Sequence, residues 1–231
     1  FTPTSGPGIS LMSEFIGFAY YSELPAVLFN IQRTGPSTGM PTRTQQCDLL
    51  LCAYASHGDT KHPMLFPADP EDCFHMTLAA FDLADELQTP VFLMSDLDVG
   101  MNDWMCKDFE WDNNYKPKRG KVLSADQLEK IEKFYRYYDS DGDGIPYRSL
   151  PGVHPKGSFF TRGSGHNKYG GYTEDGHEYQ EVVDRLKVKW NTARKMMPKP
   201  KIKYSKKNDI AIIAFGSSHG AAQEAIINLK K

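Results

Sequence analysis

The sequence contains no hydrophobic run near the ~18 residues that a membrane-spanning helix needs. Its first residues, Phe1-Thr2-Pro3-Thr4, show no charged segment followed by an apolar one, so export by a secretory signal is not supported. An excess of one charge sign is equally missing: 27 Lys and Arg against 29 Asp and Glu leave a net charge of -2 without long blocks. With no polybasic stripe and no basic amphipathic helix, nothing argues for nucleic acid or a membrane surface, and small molecules or proteins are the default partners. Cysteine is scarce. Cys47, Cys52, Cys73 and Cys106 have no CxxC or other ligand spacing, which favours reduced, half-buried thiols over a metal centre and fits a reducing cytoplasm. No initiator Met precedes the turn Thr4-Ser5-Gly6-Pro7-Gly8, so the expectation is a segment of a longer protein. Internal repeats and low-complexity tracts are absent as well.

What is present suffices for a globular core. At 231 residues and 40% hydrophobic content, the chain can bury one full core and part of a second. Leu11, Met12, Phe15, Ile16, Ala19 and Tyr20 recur at three- and four-residue spacing and predict one amphipathic helix ending before Pro25. Ala26 to Ile31 is a short continuous apolar run, the pattern of a strand covered on both faces in a parallel sheet. Residues 32 to 44, rich in Gly, Pro, Ser, Thr and Arg, predict a loop, followed by a short helix over Asp48 to Ala55. A second strand is read at Met64 to Phe66. Asp69-Pro70-Glu71-Asp72 then opens a helix with Phe74, Leu78, Phe81, Leu83 and Ala84 on its apolar face, and Pro90 to Met94 is the next buried strand.

This strand-helix alternation predicts an α/β fold over residues 1–100, an open doubly wound parallel sheet with ligands at the strand C-terminal ends. Residues 101–205 read as a connector that is aromatic, charged and punctuated by Gly and Pro. Its helices are marked by the capping box Ser124-x-x-Gln127 and by Val182, Val183, Leu186 and Trp190. Residues 206–231, with a strand over Ile210 to Phe215 and a helix from about Gly220, read as the start of a second α/β domain.

Three motifs carry chemistry. Gly216-Ser217-Ser218-His219-Gly220 matches the G-x-S-x-G of hydrolase nucleophiles, but only Glu224 follows as an acid and no histidine follows at all, so a plain strand-to-helix turn is the better reading. Asp139-Ser140-Asp141-Gly142-Asp143-Gly144 copies the first half of an EF-hand loop. The match fails at position twelve, where Leu150 replaces the bidentate Glu, and Pro146 stands at position eight. Weak divalent-ion binding and a connector built of Asx turns both remain open there. The loop Gln32 to Thr44 joins a buried strand end to Arg33 and Arg43, hydroxyl donors and glycines; rigid guanidinium forks at such a place suit a carboxylate or phosphate, or else an interface. His57 and Asp59, after the next helix, add titratable groups, which at a helix C-terminus are more often surface residues than functional ones.

Taken together, Thr4-Ser5-Gly6-Pro7-Gly8, Gln32-Arg33-Thr34-Gly35-Pro36-Ser37-Thr38-Gly39, Ala55-Ser56-His57-Gly58-Asp59 and Ser95-Asp96-Leu97-Asp98 resemble, in order and spacing, the alpha subunit of 2-oxoacid:ferredoxin oxidoreductases, more the 2-oxoglutarate than the pyruvate branch. Asp141 to Tyr147 and Phe160-Thr161-Arg162-Gly163 extend the resemblance over nearly the whole chain. It implies a thiamine diphosphate pyrimidine-binding domain lacking its first part, a connector, and the beginning of a transketolase C-terminal-like domain. It implies oxidative decarboxylation of 2-oxoglutarate with coenzyme A to succinyl-CoA and reduced ferredoxin. A beta subunit would contribute the diphosphate-binding domain, Mg2+ and a [4Fe-4S] cluster, and a gamma portion would complete the complex.

Carried over residue by residue, the resemblance puts the substrate carboxylate on Arg33, with Thr34, Ser37 and Thr38 lining the pocket or meeting the beta subunit. Thr4, Ser5, Gly6, Pro7 and Gly8 would form the turn beside the cofactor, with close approach at Gly6 and Gly8. His57 and Asp59 would be pocket or interface residues, with proton transfer as a further role. No metal ligand is expected in this chain. The family's cofactor-activating glutamate and its Tyr-Pro-x-Thr-Pro motif lie upstream of Thr4 in complete subunits and are not in this sequence, so the piece alone is expected to be inactive and poorly stable. The competing readings are a non-catalytic assembly module and a member acting on pyruvate or on several 2-oxoacids.

Overall fold

The computed structural model describes residues 1–203 and 210–229. Four parallel strands, β1 (Thr2–Thr4), β2 (Ala26–Gln32), β3 (Met64–Leu65) and β4 (Pro90–Asp96), form one sheet in the order β1-β2-β4-β3. Helices α1 (Gly6–Leu11), α2 (Ser13–Tyr21) and α3 (Leu49–Ala53) cover one face, and α4 (Pro70–Leu87) covers the other. The connector adds α5 (Leu97–Met101), α6 (Ala125–Lys130) and α7 (Gly176–Met196), and α8 (Ser218–Asn228) follows. Among the described residues no helix is long and apolar enough to cross a membrane.

The continuous apolar runs explain the two-sided sheet. Successive strand residues point to opposite faces, so Val27, Val91 and Leu93 join Ala80, Leu83, Ala84 and Leu87 of α4 in one core. Leu28, Phe92 and Met94 join Ile9, Ile16, Cys52 and Ala55 in the other. Each Val, Leu, Ile, Phe or Met side chain fully buried there contributes about 1.5–3 kcal/mol. The register pairs Thr4 with Asn30 and Gln32 with Asp96, which brings the C-terminal ends of β1, β2 and β4 to one edge.

Several sequence expectations are met. The Asp69 side chain accepts from the Asp72 N–H at 2.8 Å at the start of α4, and the Ser124–Gln127 capping box closes in both directions. Others are corrected. The single helix predicted after Gly8 is two, broken at Met12, whose N–H is shared among the carbonyls of Gly8, Ile9 and Ser10. Half of its apolar face is turned outward: Leu11 is 86% exposed and Phe15 73%. Thr2–Thr4, expected only as the approach to a turn, is a strand; three residues are too few for a periodic signal, and Pro3 is tolerated because β1 is an edge. The face predicted for α4 divides: Leu83 and Ala84 enter the core, whereas Phe74 stacks on Phe109 at 5.2 Å and Phe81 meets Phe1 at 5.8 Å.

The strand expected over residues 210–215 does not form. Ile210 is 83% exposed and Ile213 94%, and among the described residues no neighbour offers this segment a ladder, without which an apolar run has no strand to join. Residues 206–209 and 230–231 of that expected domain lie outside the described residues.

The EF-hand-like loop also finds its explanation. Asp139 accepts the N–H groups of Gly142 (2.9 Å) and Gly144 (2.8 Å), an Asx-turn arrangement. The Lys121 ammonium sits where an ion would, 2.6 Å from Asp141 Oδ1, 2.7 Å from Asp143 Oδ1 and 2.9 Å from the Ile145 carbonyl. Asp139, Asp141 and Asp143 bring their oxygens within 4.8 Å of one another, and the loop's cation comes from its own chain.

Candidate functional site

The C-terminal edge of the sheet is where β1 turns into α1, β2 into the arginine loop and β4 into α5. Two polar residues interrupt the apolar run of β2 there, Asn30 and Gln32, both almost fully buried. Asn30 Nδ2 donates to Asp48 Oδ2 at 3.1 Å and to Cys52 Sγ at 3.3 Å. Gln32 Oε1 accepts the Asp48 N–H at 3.2 Å, and its Nε2 donates to the Ser95 carbonyl at 3.3 Å. Asp48 Oδ1 lies 3.4 Å from Cys47 Sγ, and beside this carboxylate burial comes first in raising the Cys47 thiol's pKa, with the Asp48 charge adding to it. The platform is therefore acidic and hydrogen-bonded, and among the described residues Asp48 has no basic partner.

The Thr4–Gly8 turn packs onto this platform. A Cβ on Gly6 would fall 2.7 Å from Asp48 Oδ1, and one on Gly8 would fall 1.8 Å from Thr4 Oγ1. Both glycines are thus required by this chain's own packing, whereas the sequence assigned them to close approach of a cofactor. Ser5 is the extended residue before α1, and Pro7 occupies its first turn. Asn30, Asp48 and Cys47 were not singled out for a role from sequence; a signal existed only for Asn30, an amide inside an otherwise apolar strand.

The arginine loop closes on itself. The Thr34 N–H and Oγ1 both donate to the Arg43 carbonyl, at 2.9 and 3.1 Å, and the Met40 N–H donates to the Thr34 carbonyl at 3.1 Å. Gly39 sits at φ +49 with its hydrogen against that same carbonyl, where a Cβ would come within 2.1 Å. Thr34, predicted to line the pocket, is therefore the clip of the loop. Ser37 and Thr38 are at its exposed tip. Arg33 is half-buried; its Nε is enclosed without a hydrogen-bond partner among the described residues, and its carbonyl accepts Cys47 Sγ–H at 3.5 Å.

A second cluster sits at the end of β4. Asp96 Oδ1 accepts the N–H groups of Asp98 (3.0 Å) and Val99 (3.3 Å) and so caps α5. Its Oδ2 accepts from Gln46 Nε2 at 2.9 Å and from Ser217 Oγ at 2.6 Å. The Gly216–Gly220 motif is accordingly a turn docked on Asp96. The serine at the motif's nucleophile position, Ser218, donates to the Phe215 carbonyl at 2.6 Å, while the Ser217 hydroxyl donates to the Asp96 carboxylate.

His57 and Asp59 are elsewhere. They lie between α3 and β3, on the connection that returns the chain to the N-terminal edge of the sheet, and line a groove of about 810 Å³ with Tyr20, Tyr54, Tyr179 and Trp190. The structure does not bring them to Arg33. Nearby His62 is buried against Tyr20 and Phe92, and its Nε2 is 2.8 Å from the Ala55 carbonyl. Burial lowers its pKa to about 4, so it is a neutral core residue.

Residues 1–107 match the family described as pyruvate flavodoxin/ferredoxin oxidoreductase, thiamine diP-bdg. Over its full length the chain is 32% identical to the 2-oxoglutarate synthase subunit KorA of Methanocaldococcus jannaschii, of which it spans 59%. It is 32% identical over 99% of its length to subunit alpha of the 2-oxoacid:ferredoxin oxidoreductase 2 of Aeropyrum pernix, of which it spans 35%. The 2-oxoglutarate:ferredoxin oxidoreductase of Magnetococcus marinus, solved with 2-oxoglutarate, coenzyme A and succinyl-CoA bound, superimposes over 99% of this chain and 39% of the solved one, with TM-score 0.86 and 28% identity. The chain thus spans less than two thirds of each of these relatives.

Proposed function

We propose, since residues 1–107 match the pyruvate flavodoxin/ferredoxin oxidoreductase thiamine diphosphate-binding family and the whole chain is similar to 2-oxoacid:ferredoxin oxidoreductase alpha subunits, that it is the part of a 2-oxoglutarate:ferredoxin oxidoreductase that presents the 2-oxoacid to thiamine diphosphate. The reaction is oxidative decarboxylation: 2-oxoglutarate, coenzyme A and two oxidised ferredoxins give succinyl-CoA, carbon dioxide, a proton and two reduced ferredoxins. The observation that carries this reading is Arg33, a guanidinium at the C-terminal edge of a parallel sheet with an enclosed, unpartnered Nε.

The residues at that edge fit the cofactor's ring chemistry. Asn30 Oδ1 is buried without a partner among the described residues, and Asp48 offers a carboxylate beside it, an acceptor pair suited to the amino group of a pyrimidine. Bound there, thiamine diphosphate supplies the electron sink for breaking the bond to the carboxylate carbon. Arg33 holds that carboxylate through a fork of charge-assisted hydrogen bonds, while the clipped loop fixes where the fork starts. Thr4 to Gly8 keeps α1 packed against Asp48 and so sets the floor of the crevice. Mg2+, the [4Fe-4S] cluster and the diphosphate-binding half belong to a beta subunit in this reading, with a gamma portion and ferredoxin completing the assembly. The matching family is a thiamine diphosphate-binding one, which supports the cofactor.

The test is anaerobic dye reduction by the full-length subunit coexpressed with its beta subunit, with coenzyme A, thiamine diphosphate and either 2-oxoglutarate or pyruvate. Turnover of 2-oxoglutarate is expected. Turnover of pyruvate alone would move the chain to the other branch, and an assembled, cofactor-loaded complex inactive on every 2-oxoacid would leave an assembly module in place of an enzyme.

A further inference from the structure

We propose that Arg43 is the specificity residue of this site: its guanidinium receives the distal carboxylate of a 2-oxodicarboxylate while Arg33 holds the carboxylate beside the ketone. The proposal rests on the reading of Arg33 given above and adds what that reading lacks, a reason for a dicarboxylate over pyruvate.

Arginines 33 and 43 are ten positions apart in sequence, yet the two bonds from Thr34 to the Arg43 carbonyl make them neighbours across the base of a closed loop. Every contact that Arg43 contributes to this closure is made by its backbone: its carbonyl accepts from Thr34, and its N–H donates to the Met40 carbonyl at 3.0 Å. The side chain is exposed and is not needed to hold the loop. Its one hydrogen bond among the described residues is a long contact, 3.4 Å, from Nη1 to the carbonyl of the preceding Thr42. Neither arginine has an ion pair among the described residues, although carboxylates are close by; Asp48 is engaged by Asn30 and Cys47, and Asp96 by Gln46, Ser217 and the start of α5. Two rigid, always-charged forks borne on adjoining backbone at the base of one loop suit a small ligand with two carboxylates, and a monocarboxylate would use only one of them.

Arg43→Met removes the fork and leaves the backbone clip, whereas Arg43→Lys keeps the charge but loses the bidentate geometry. In the assembled complex, the ratio of kcat/KM for 2-oxoglutarate to that for pyruvate is expected to fall about 10- to 100-fold in Arg43→Met, through KM, and by less in Arg43→Lys. Calorimetric binding of 2-oxoglutarate should weaken in the same order. Arg33→Met should lower both substrates together. An unchanged ratio in Arg43→Met, or a loss shared equally by the two substrates, overturns the proposal while leaving the function standing. A wild-type complex inactive on every 2-oxoacid overturns both.

Discussion

Arg33 owes its position to the register of β2. The strand is fixed by the alternation of Val27 and Leu28 between two cores, so a one-residue slip would put each into the core packed for the other and carry Arg33 off the crevice. A fork held this way is not replaceable by a flexible point charge, and Arg33→Lys is expected to behave more like Arg33→Met than like wild type. Both should cut kcat/KM for 2-oxoglutarate by about 100-fold or more in the assembled complex, with assembly itself unchanged on size exclusion. Loss of assembly without a kinetic defect in the residual complex would make the loop an interface. Single residues were legible in the sequence only where chemistry and place coincide. The fork after a strand end could be read directly. The buried Asn30–Asp48 contact could not, because it joins residues from a strand and a later helix start whose nearness exists only after folding. For His57 and Asp59 the titratable groups were visible, but nothing in their spacing told which edge of the sheet they occupy.

Among the elements, those whose instructions are local were the ones the sequence revealed. Strands β2 and β4 announce themselves as apolar runs, α4 by the Asp69 cap and Pro70, and α6 by its capping box. β1 escaped because three residues carry no period, and residues 210–215 read as a strand although strand formation depends on a partner that composition does not reveal. The loop at Asp139 to Gly144 shows the same divide. Its Asx turn is written locally, but the cation that neutralises Asp141 and Asp143 is Lys121, some twenty residues earlier. Burial alone would lower the Lys121 pKa, but the hydrogen bonds to and charges of these two aspartates together outweigh it and raise it, so the ammonium stays charged. Chelators should therefore leave the thermal midpoint of the chain unchanged, while Lys121→Ala should cost about 1–2 kcal/mol in denaturant melts. A midpoint that falls with EDTA and recovers with Ca2+ would show that a metal, not Lys121, holds the loop.

At the scale of the molecule, the connector is anchored to the sheet by one buried charge cluster. Glu23, at the end of α2 and fully buried, receives both guanidinium nitrogens of Arg185 and the Lys189 ammonium at 3.0 Å, both from α7, while Arg136 donates to its carbonyl at 2.7 Å. Lys189 also donates to the Gln88 carbonyl at 3.2 Å, just before β4, so α7 is tied to the N-terminal ends of both central strands, β2 and β4. One carboxylate faces three cations. Burial alone would raise the Glu23 pKa, but Arg185 and Lys189 outweigh it and hold it at about 2, against an ordinary 4.5. A carboxyl depressed in the folded state binds fewer protons than in the unfolded chain, so its contribution is complete above about pH 4.5 and is lost as pH falls toward 2. Lys189, lowered by burial to about 8 despite Glu23, has the same sense one step higher: stability rises between pH 8 and 10.5, where the folded chain has released the proton that the unfolded chain still holds. The cluster should thus fail in acid and not in alkali. Glu23→Gln would leave three buried cations without their counter-charge and is expected to cost about 3–5 kcal/mol at pH 7, with much of the acid sensitivity gone because the titrating group is gone. Hydrogen exchange of the α7 amides gives the local readout, with protection lost in Glu23→Gln before it is lost in β2 and β4. Equal stability of Glu23→Gln and wild type, or simultaneous exposure of α7 and the sheet, would mean that the helix is held by the apolar contacts of Ala193 and Trp190 with the α4 core and that the ions merely accompany it.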